Sequence, residues 1–387
     1  MYLLLLAVIY LAFVSLGLPD SLLGAGWPVI HEELNVPVSY MGVVTMVISG
    51  CTILSGLTSD FLTRKMGAKW VVTASVIISA GVLLGFSLAD RFWLLIVLAV
   101  PYGLSAGAID AALNNYVALH YSSKHMSWLH CFWGVGAIVS PFVMSFALTS
   151  KGWQQGFRII GWVQMGIALV LLLTLSLWKK TEDAGEKQKS VGIAGAIKIK
   201  GVPFMLAGFF AYCAAEATAM QWASTYFVQV KHLSEELAAQ LASLFYIGMT
   251  AGRFAGGFFT DRLGDRRMIT LGTCVMTAGI ILMLIPTQSY GLSVAAFLIT
   301  GLGCAPVYPA IVHSAPQNFG RENSGAVMGI LLASAYVGTT LVPPLFGVTA
   351  EKLGFEALPL FLLAFALLMA AMTHISFAKA KANLATA

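Results

Sequence analysis

Long apolar runs alternate along this chain with short polar loops rich in glycine and basic residues. A membrane-spanning helix needs ~20 mostly apolar residues. By that measure the pattern predicts twelve spans. The first six lie at about 2–26, 38–60, 69–89, 92–119, 127–150 and 155–178. The second six lie at about 202–229, 237–260, 268–287, 290–315, 324–348 and 355–378. One longer polar stretch, with Glu182, Asp183, Glu186, Lys187 and Lys189, separates the two sets. The predicted organisation is an N-terminal six-helix bundle (1–178), a linker (179–201) and a C-terminal six-helix bundle (202–387). Within the linker, Ile193–Ile199 is expected to form a short surface helix. The apolar first segment carries no basic n-region and no clear cleavage site, so it is expected to be a retained span rather than a signal peptide. The expected fold class is all-α integral membrane.

Charge supports this count. With both termini cytoplasmic, sixteen of the 22 Lys and Arg fall in inside segments and five outside, while Arg253 lies within a span. That excess is the positive-inside pattern. A multi-pass protein of a plasma membrane is expected, with a bacterial inner membrane as the natural setting. Composition agrees: 58% of the 387 residues are hydrophobic and only 10% charged, against about 25% charged in soluble domains. Lipid is therefore the expected solvent. The net charge of +5 is dispersed in short loops, with no basic face interleaved with aromatics, which argues against nucleic acid as a partner. The five cysteines stand singly in apolar runs and read as small core hydrophobes. The chain has no GxxxxGK[ST], HExxH or GxSxG motif and no metal-spaced cluster. These absences argue against ATP-driven transport and against an enzyme, and no cofactor is expected.

Two stretches about two hundred residues apart are near copies. The first is Gly56-Leu57-Thr58-Ser59-Asp60, followed by Arg64-Lys65-Met66-Gly67. The second is Gly257-Phe258-Phe259-Thr260-Asp261-Arg262-Leu263-Gly264-Asp265-Arg266-Arg267. A repeat at this spacing in so apolar a chain predicts two similar membrane halves. The paired loops and the basic linker resemble the major facilitator superfamily, whose loop signature runs Gly-x-x-x-Asp-Arg-x-Gly and then a cluster of bases. The second copy matches at Gly257, Asp261, Arg262, Gly264, Arg266 and Arg267, with Asp265 standing where a base is usual. The first is looser, with Arg64 and Gly67 displaced. The resemblance implies a cytoplasmic gate at Gly56, Asp60, Arg64, Gly257, Asp261, Arg262, Gly264, Arg266 and Arg267. In it a carboxylate pairs with bases or with the positive end of a neighbouring helix. Arg253, about two turns inside its span, is expected to pair with a carbonyl or an acid and brace the same gate.

A narrower resemblance rests on three spans. They are Tyr212-x3-Glu216-x5-Trp222-x3-Tyr226, Gly103-x3-Gly107-x2-Asp110-x3-Asn114-x2-Val117, and His130-x-Phe132-x-Gly134-x-Gly136-x4-Pro141. Together they resemble the fucose–galactose–glucose:proton symporter branch and its sodium-glucose-transporter-like relatives. In that branch an acid in span one and another in span four serve sugar binding and proton coupling. Asp20 and Asp110 stand in comparable places.

Asp20, Asp110 and Glu216 lie within spans. A carboxylate in the bilayer costs ~3 kcal/mol by insertion scales and is by default a functional-site candidate. Unwinding at Gly17-Leu18-Pro19 would bring Asp20 nearer the outer mouth. Asp110 and Asn114 share a helix face, as do Tyr212 and Glu216. Asn115, about 100° away, is free to bond a neighbouring helix. His130 and His313 suit proton relay because histidine titrates near neutral pH. Flat rings and amides that could hold a sugar are Trp133, Gln221, Trp222, Tyr246, Tyr308 and Tyr336. The expected function is alternating-access symport of a small sugar or polyol, by a functional monomer. The coupling ion is a proton, or else sodium, for which Asp20, Asn114 and Thr218 could supply oxygens. The alternatives are a proton-coupled antiporter exporting a drug or lipid-linked metabolite, and a non-transporting receptor or scaffold. The exporter signature Gly-Pro-x-x-Gly-Gly is not met at Ser140-Pro141.

Overall fold

The structure, a computed structural model, describes residues 2–37, 40–149, 151–178, 191–233, 235–287 and 289–384. Most of the predicted linker, 179–190, lies outside the described residues. The helices in chain order are α1 (Tyr2–Asp20), α2 (Leu22–Glu33), α3 (Tyr40–Met66), α4 (Ala68–Phe86), α5 (Phe92–His120), α6 (Ser123–Leu148) and α7 (Trp153–Leu173). A short α8 (Gly192–Ala196) stands where the surface helix is expected. There follow α9 (Val202–Lys231), α10 (Glu235–Leu263), α11 (Asp265–Met283), α12 (Tyr290–Cys304), α13 (Val307–Phe319), α14 (Ser324–Leu353) and α15 (Leu358–Leu384). Among the described residues there is no strand.

Eleven spans among the described residues are long and apolar enough to cross a membrane, two of them built from broken pairs, α1–α2 and α12–α13. The twelfth, α10, has the length at 29 residues. Arg253, Gln240 and four glycines dilute its apolar character. The first span breaks later than expected. Its helix runs through Pro19, and the interruption comes at Ser21, so Asp20 closes α1. Ala305 and Pro306 form the link between α12 and α13.

The chain forms two compact units. The first takes residues up to Tyr116 and from Leu129 to the end of the sixth span; the second takes the rest from Val191 and also Val117–Trp128. The last turn of α5, the first turns of α6 and the link between them are thus packed with the second unit.

Within the first unit, helices cross at contact distance where a side chain is missing. A Cβ on Gly17 would strike the Trp133 carbonyl, and one on Gly136 would strike that of Val14. The Ser21 hydroxyl donates to the Ala137 carbonyl at 2.6 Å, and Ser140 to that of Leu18. This α1–α6 crossing brings Trp133 alongside Asp20. Gly103 and Gly107 let α5 sit on the Ile48 and Thr52 carbonyls of α3, where the Thr52 hydroxyl donates to the Gly103 carbonyl at 3.1 Å. That contact fixes the face on which Asp110 and Asn114 stand. In the second unit, α9 packs against α14 and α15, with Ser334 donating to the Leu206 carbonyl at 2.8 Å and Ser376 to that of Gly201 at 2.8 Å.

Candidate functional site

Each unit carries buried polar groups on its span helices. In the first, Asp20 is exposed and accepts hydrogen bonds from Trp133 Nε1 at 2.8 Å and the Tyr102 hydroxyl at 3.4 Å. Asp110, by contrast, is only 4% exposed. Asn114, one turn on, donates through Nδ2 to Asp110 Oδ1 at 2.7 Å and to the Asp110 carbonyl at 2.9 Å. His130 Nε2 lies 3.1 Å from Asn114 Oδ1. The Asn114 amide points its nitrogen at Asp110, so its oxygen faces His130, and Nε2 is the donor there. Phe13 packs edge-on against the His130 ring, centroids 5.2 Å apart. Asp110, Asn114 and His130 thus form one hydrogen-bonded chain from α5 to α6. Asn115 stands apart from it, and its Oδ1 is buried without a hydrogen bond, unlike the interhelical bond expected.

In the second unit, the buried Glu216 accepts from the Tyr212 hydroxyl at 2.7 Å and pairs with Arg253 Nη2 at 3.3 Å. The Tyr212 oxygen also lies 2.9 Å from the Cys304 carbonyl, where the α12 segment ends. Tyr308 packs on the rings of Phe209 and Tyr212. Arg253, expected to pair with a carbonyl or an acid, pairs with the acid Glu216. Trp222 is held by α14: its Nε1 donates to the Pro343 carbonyl at 2.8 Å, and its ring packs against Phe346 and Phe355. Gln221 and Tyr246 are exposed, and Tyr336 is half-buried. The Thr218 hydroxyl is buried without a hydrogen-bond partner.

The second signature copy makes a third cluster. Asp261 accepts from the Ser122 hydroxyl at 3.1 Å and from the Lys124 backbone N–H at 3.1 Å, and Lys124 Nζ lies 3.6 Å away. A carboxylate at the first turn of α6 meets the positive end of that helix. Gly257 lies directly beneath the Trp128 indole, which a Cβ there would strike. Gly264, at φ +77°, turns the chain from α10 into α11, a conformation that costs glycine little. Arg262, Arg266 and Arg267 are exposed, with the Arg266 guanidinium 5.5 Å from the Phe377 ring centre. His313, expected to suit proton relay, sits here. Its Nδ1 is 2.6 Å from Asp265 Oδ2 and its Nε2 3.0 Å from the Tyr121 carbonyl. Ser123 bonds the other oxygen of Asp265, and Arg321 donates to the Leu119 carbonyl at 2.7 Å. In the first copy, Asp60 pairs with Arg64 at 3.0 Å along α3.

The sequence reading missed Tyr102, Tyr121, Ser123 and Arg321. Only Asp265 had a visible signal, an acid in place of a base.

These features meet in a known family. A family model described as the Major Facilitator Superfamily matches residues 9–242 and again 206–384. The chain belongs to the major facilitator superfamily. Bypass of stop codon protein 6 of Saccharomyces cerevisiae is 22% identical to it over 391 residues, spanning 90% of this chain and 77% of that protein. The glucose/mannose transporter GlcP of Bacillus subtilis is 22% identical over 353 residues, spanning 87% and 86%. Among solved structures, the E. coli fucose:proton symporter FucP superposes with a TM-score of 0.79 at 15% identity, covering 97% of this chain and 98% of that one. At that identity the likeness shows the fold, the twelve-helix architecture of the superfamily. The protein is a multi-pass membrane transporter of this superfamily.

Proposed function

We propose that the protein is a proton-coupled symporter of a small sugar or polyol, with both termini and the signature loops on the cytoplasmic side of a plasma membrane. The observation that carries this reading is Asp110. Its carboxyl is sealed from solvent and bonded through Asn114 to His130. An ionisable group is expensive inside a membrane and marks a path for substrate or ion. A buried carboxyl can take up a proton, and the imidazole held to it through the Asn114 amide is a second group of the kind that titrates near neutral pH. Asp20 differs in being exposed, with a flat indole bonded to its carboxylate. A carboxylate holds vicinal hydroxyls and a ring covers an apolar sugar face, so Asp20 and Trp133 are assigned to substrate. Glu216 carries its own cation in Arg253, which suits it to positioning Tyr212 and Tyr308. The names of GlcP and FucP, a glucose/mannose transporter and a fucose:proton symporter, support the substrate class.

The test is proton movement in proteoliposomes, with and without sodium, as hexoses, pentoses and polyols are added outside. Interior acidification on adding one of them, independent of sodium, is expected. Uptake that needs sodium and moves no proton would overturn the coupling ion; silence to every sugar, with proton release on adding an amphipathic drug, would overturn the symport reading.

A further inference from the structure

The second signature copy encloses a proton that the hydrogen-bond geometry requires. His313 stands between two acceptors, the Asp265 carboxyl at 2.6 Å from Nδ1 and the Tyr121 backbone carbonyl at 3.0 Å from Nε2. A carbonyl oxygen only accepts, so Nε2 carries a hydrogen. A neutral imidazole then has a bare lone pair on Nδ1, which would face a carboxylate. The contact with Asp265 is bonding only if one more proton lies between them, on Nδ1 or on Oδ2. His313 is 5% exposed and Asp265 9%, so water cannot make good the loss, and an unmade bond in such a site carries the full desolvation penalty.

We infer that His313 and Asp265 form a second proton-binding site, separate from Asp110, which ties the α5–α6 turn to α11 and α13 only while the proton is bound. The turn bears the load through the Tyr121 carbonyl and through Ser123, which bonds the other Asp265 oxygen. Charged and titratable groups stand on each of these elements, Arg262 on α10, Arg266 and Arg267 on α11, His120 at the end of α5 and Glu322 in the turn before α14 among them. Asp261 comes from the end of α10, Lys124 and His125 from the start of α6, and Arg321, from the turn before α14, holds the Leu119 carbonyl. His125 packs edge-on to Tyr121 and Trp128, centroids 5.7 Å away in each case, and is the rival source of any pH response. Proton loss removes the tie at Tyr121 or the one at Asp265, and the turn loosens. This assignment rests on the geometry of the turn and stands whether or not the cargo is a sugar.

The experiment is backbone hydrogen exchange over residues 117–128, read by mass spectrometry on the full-length protein from pH 5.5 to 8.5 and corrected for intrinsic exchange. In the wild type, protection is expected to fall as pH rises, by up to tenfold per pH unit between the titration of the open turn and that of the tied turn, the slope for one linked proton. Asp265→Asn removes the need for the extra proton. Its amide N–H donates to Nδ1 while Nε2–H keeps the Tyr121 carbonyl, so protection should stay flat with pH. A wild type with no pH dependence overturns the inference. So does Asp265→Asn with the wild-type slope, which would put the titration on His125. If that variant does not fold, His125→Gln decides: the wild-type slope should persist in it, and a flat profile would put the titration on His125 and overturn the inference.

Discussion

The two signature copies share a sequence pattern and differ in what their acids reach. Asp60 pairs with Arg64, four residues on along the same helix, at 3.0 Å. Asp261 reaches across to the α5–α6 turn and binds Ser122 and Lys124. The reason lies in helix length. In both copies a glycine with positive φ, Gly67 or Gly264, starts the next helix. Asp261 stands two residues before the end of α10, whereas Asp60 stands six before the end of α3. Four residues are about one turn, or ~6 Å of rise. Asp60 is therefore set back along its helix, where a base at i+4 is within reach. The residue after the glycine differs too: Ala68 in the first copy and Asp265 in the second. A shared motif fixes where an acid sits on its helix, and the distance to the helix end decides whether it can leave that helix.

The difference can be broken most severely at Gly257. A leucine there must displace the Trp128 indole. Overpacking of this kind costs about 2 kcal/mol, and about 1.4 kcal/mol is a tenfold change in an equilibrium. Gly257→Leu should therefore free the turn and lower the initial uptake rate more than tenfold while leaving membrane insertion intact, as surface expression would show. Asp261→Ala should come next. It removes two hydrogen bonds to a partly exposed carboxylate, a loss of about 1 kcal/mol, read as a lower melting temperature in detergent and faster exchange in 117–128. Asp60→Ala removes the i,i+4 pair with Arg64, a kind of pair worth about 0.4 kcal/mol on a helix surface, and should leave exchange in 117–128 unchanged. Equal effects from Asp60 and Asp261 would erase the asymmetry. The smallest effect is expected for Lys124→Met. It deletes the 3.6 Å ion pair but keeps the backbone N–H that binds Asp261, so stability should fall by no more than about 0.3 kcal/mol, and less at high salt.

The fold was largely written in the apolar runs, because a bilayer sets span length and tolerates little charge. Helical spacing also paired Asp110 with Asn114 and Tyr212 with Glu216, both of which bond as one-turn neighbours do. Spacing could not say which helix lies opposite. His313 joins the signature loop through Asp265, while Arg253 joins Glu216. Each pairing depends on depth along two helices distant in sequence. Trp222 shows the same limit: its aromatic character suited a sugar, but a bond to the Pro343 carbonyl on α14 holds its indole nitrogen. The break of the first span at Ser21, rather than at Gly17–Pro19, was not legible, because membrane helices keep proline within a turn when neighbours satisfy the freed groups.

The account places coupling in the Asp110 chain and gating in the second signature copy. Equilibrium exchange of the sugar identified in the proteoliposome screen, compared with its uphill accumulation, tests that division in Asp110→Asn. The account predicts exchange near the wild-type rate with accumulation abolished, because the carrier still cycles when loaded but has no proton to draw on. Loss of exchange along with accumulation, in a protein that still folds and inserts, would contradict it.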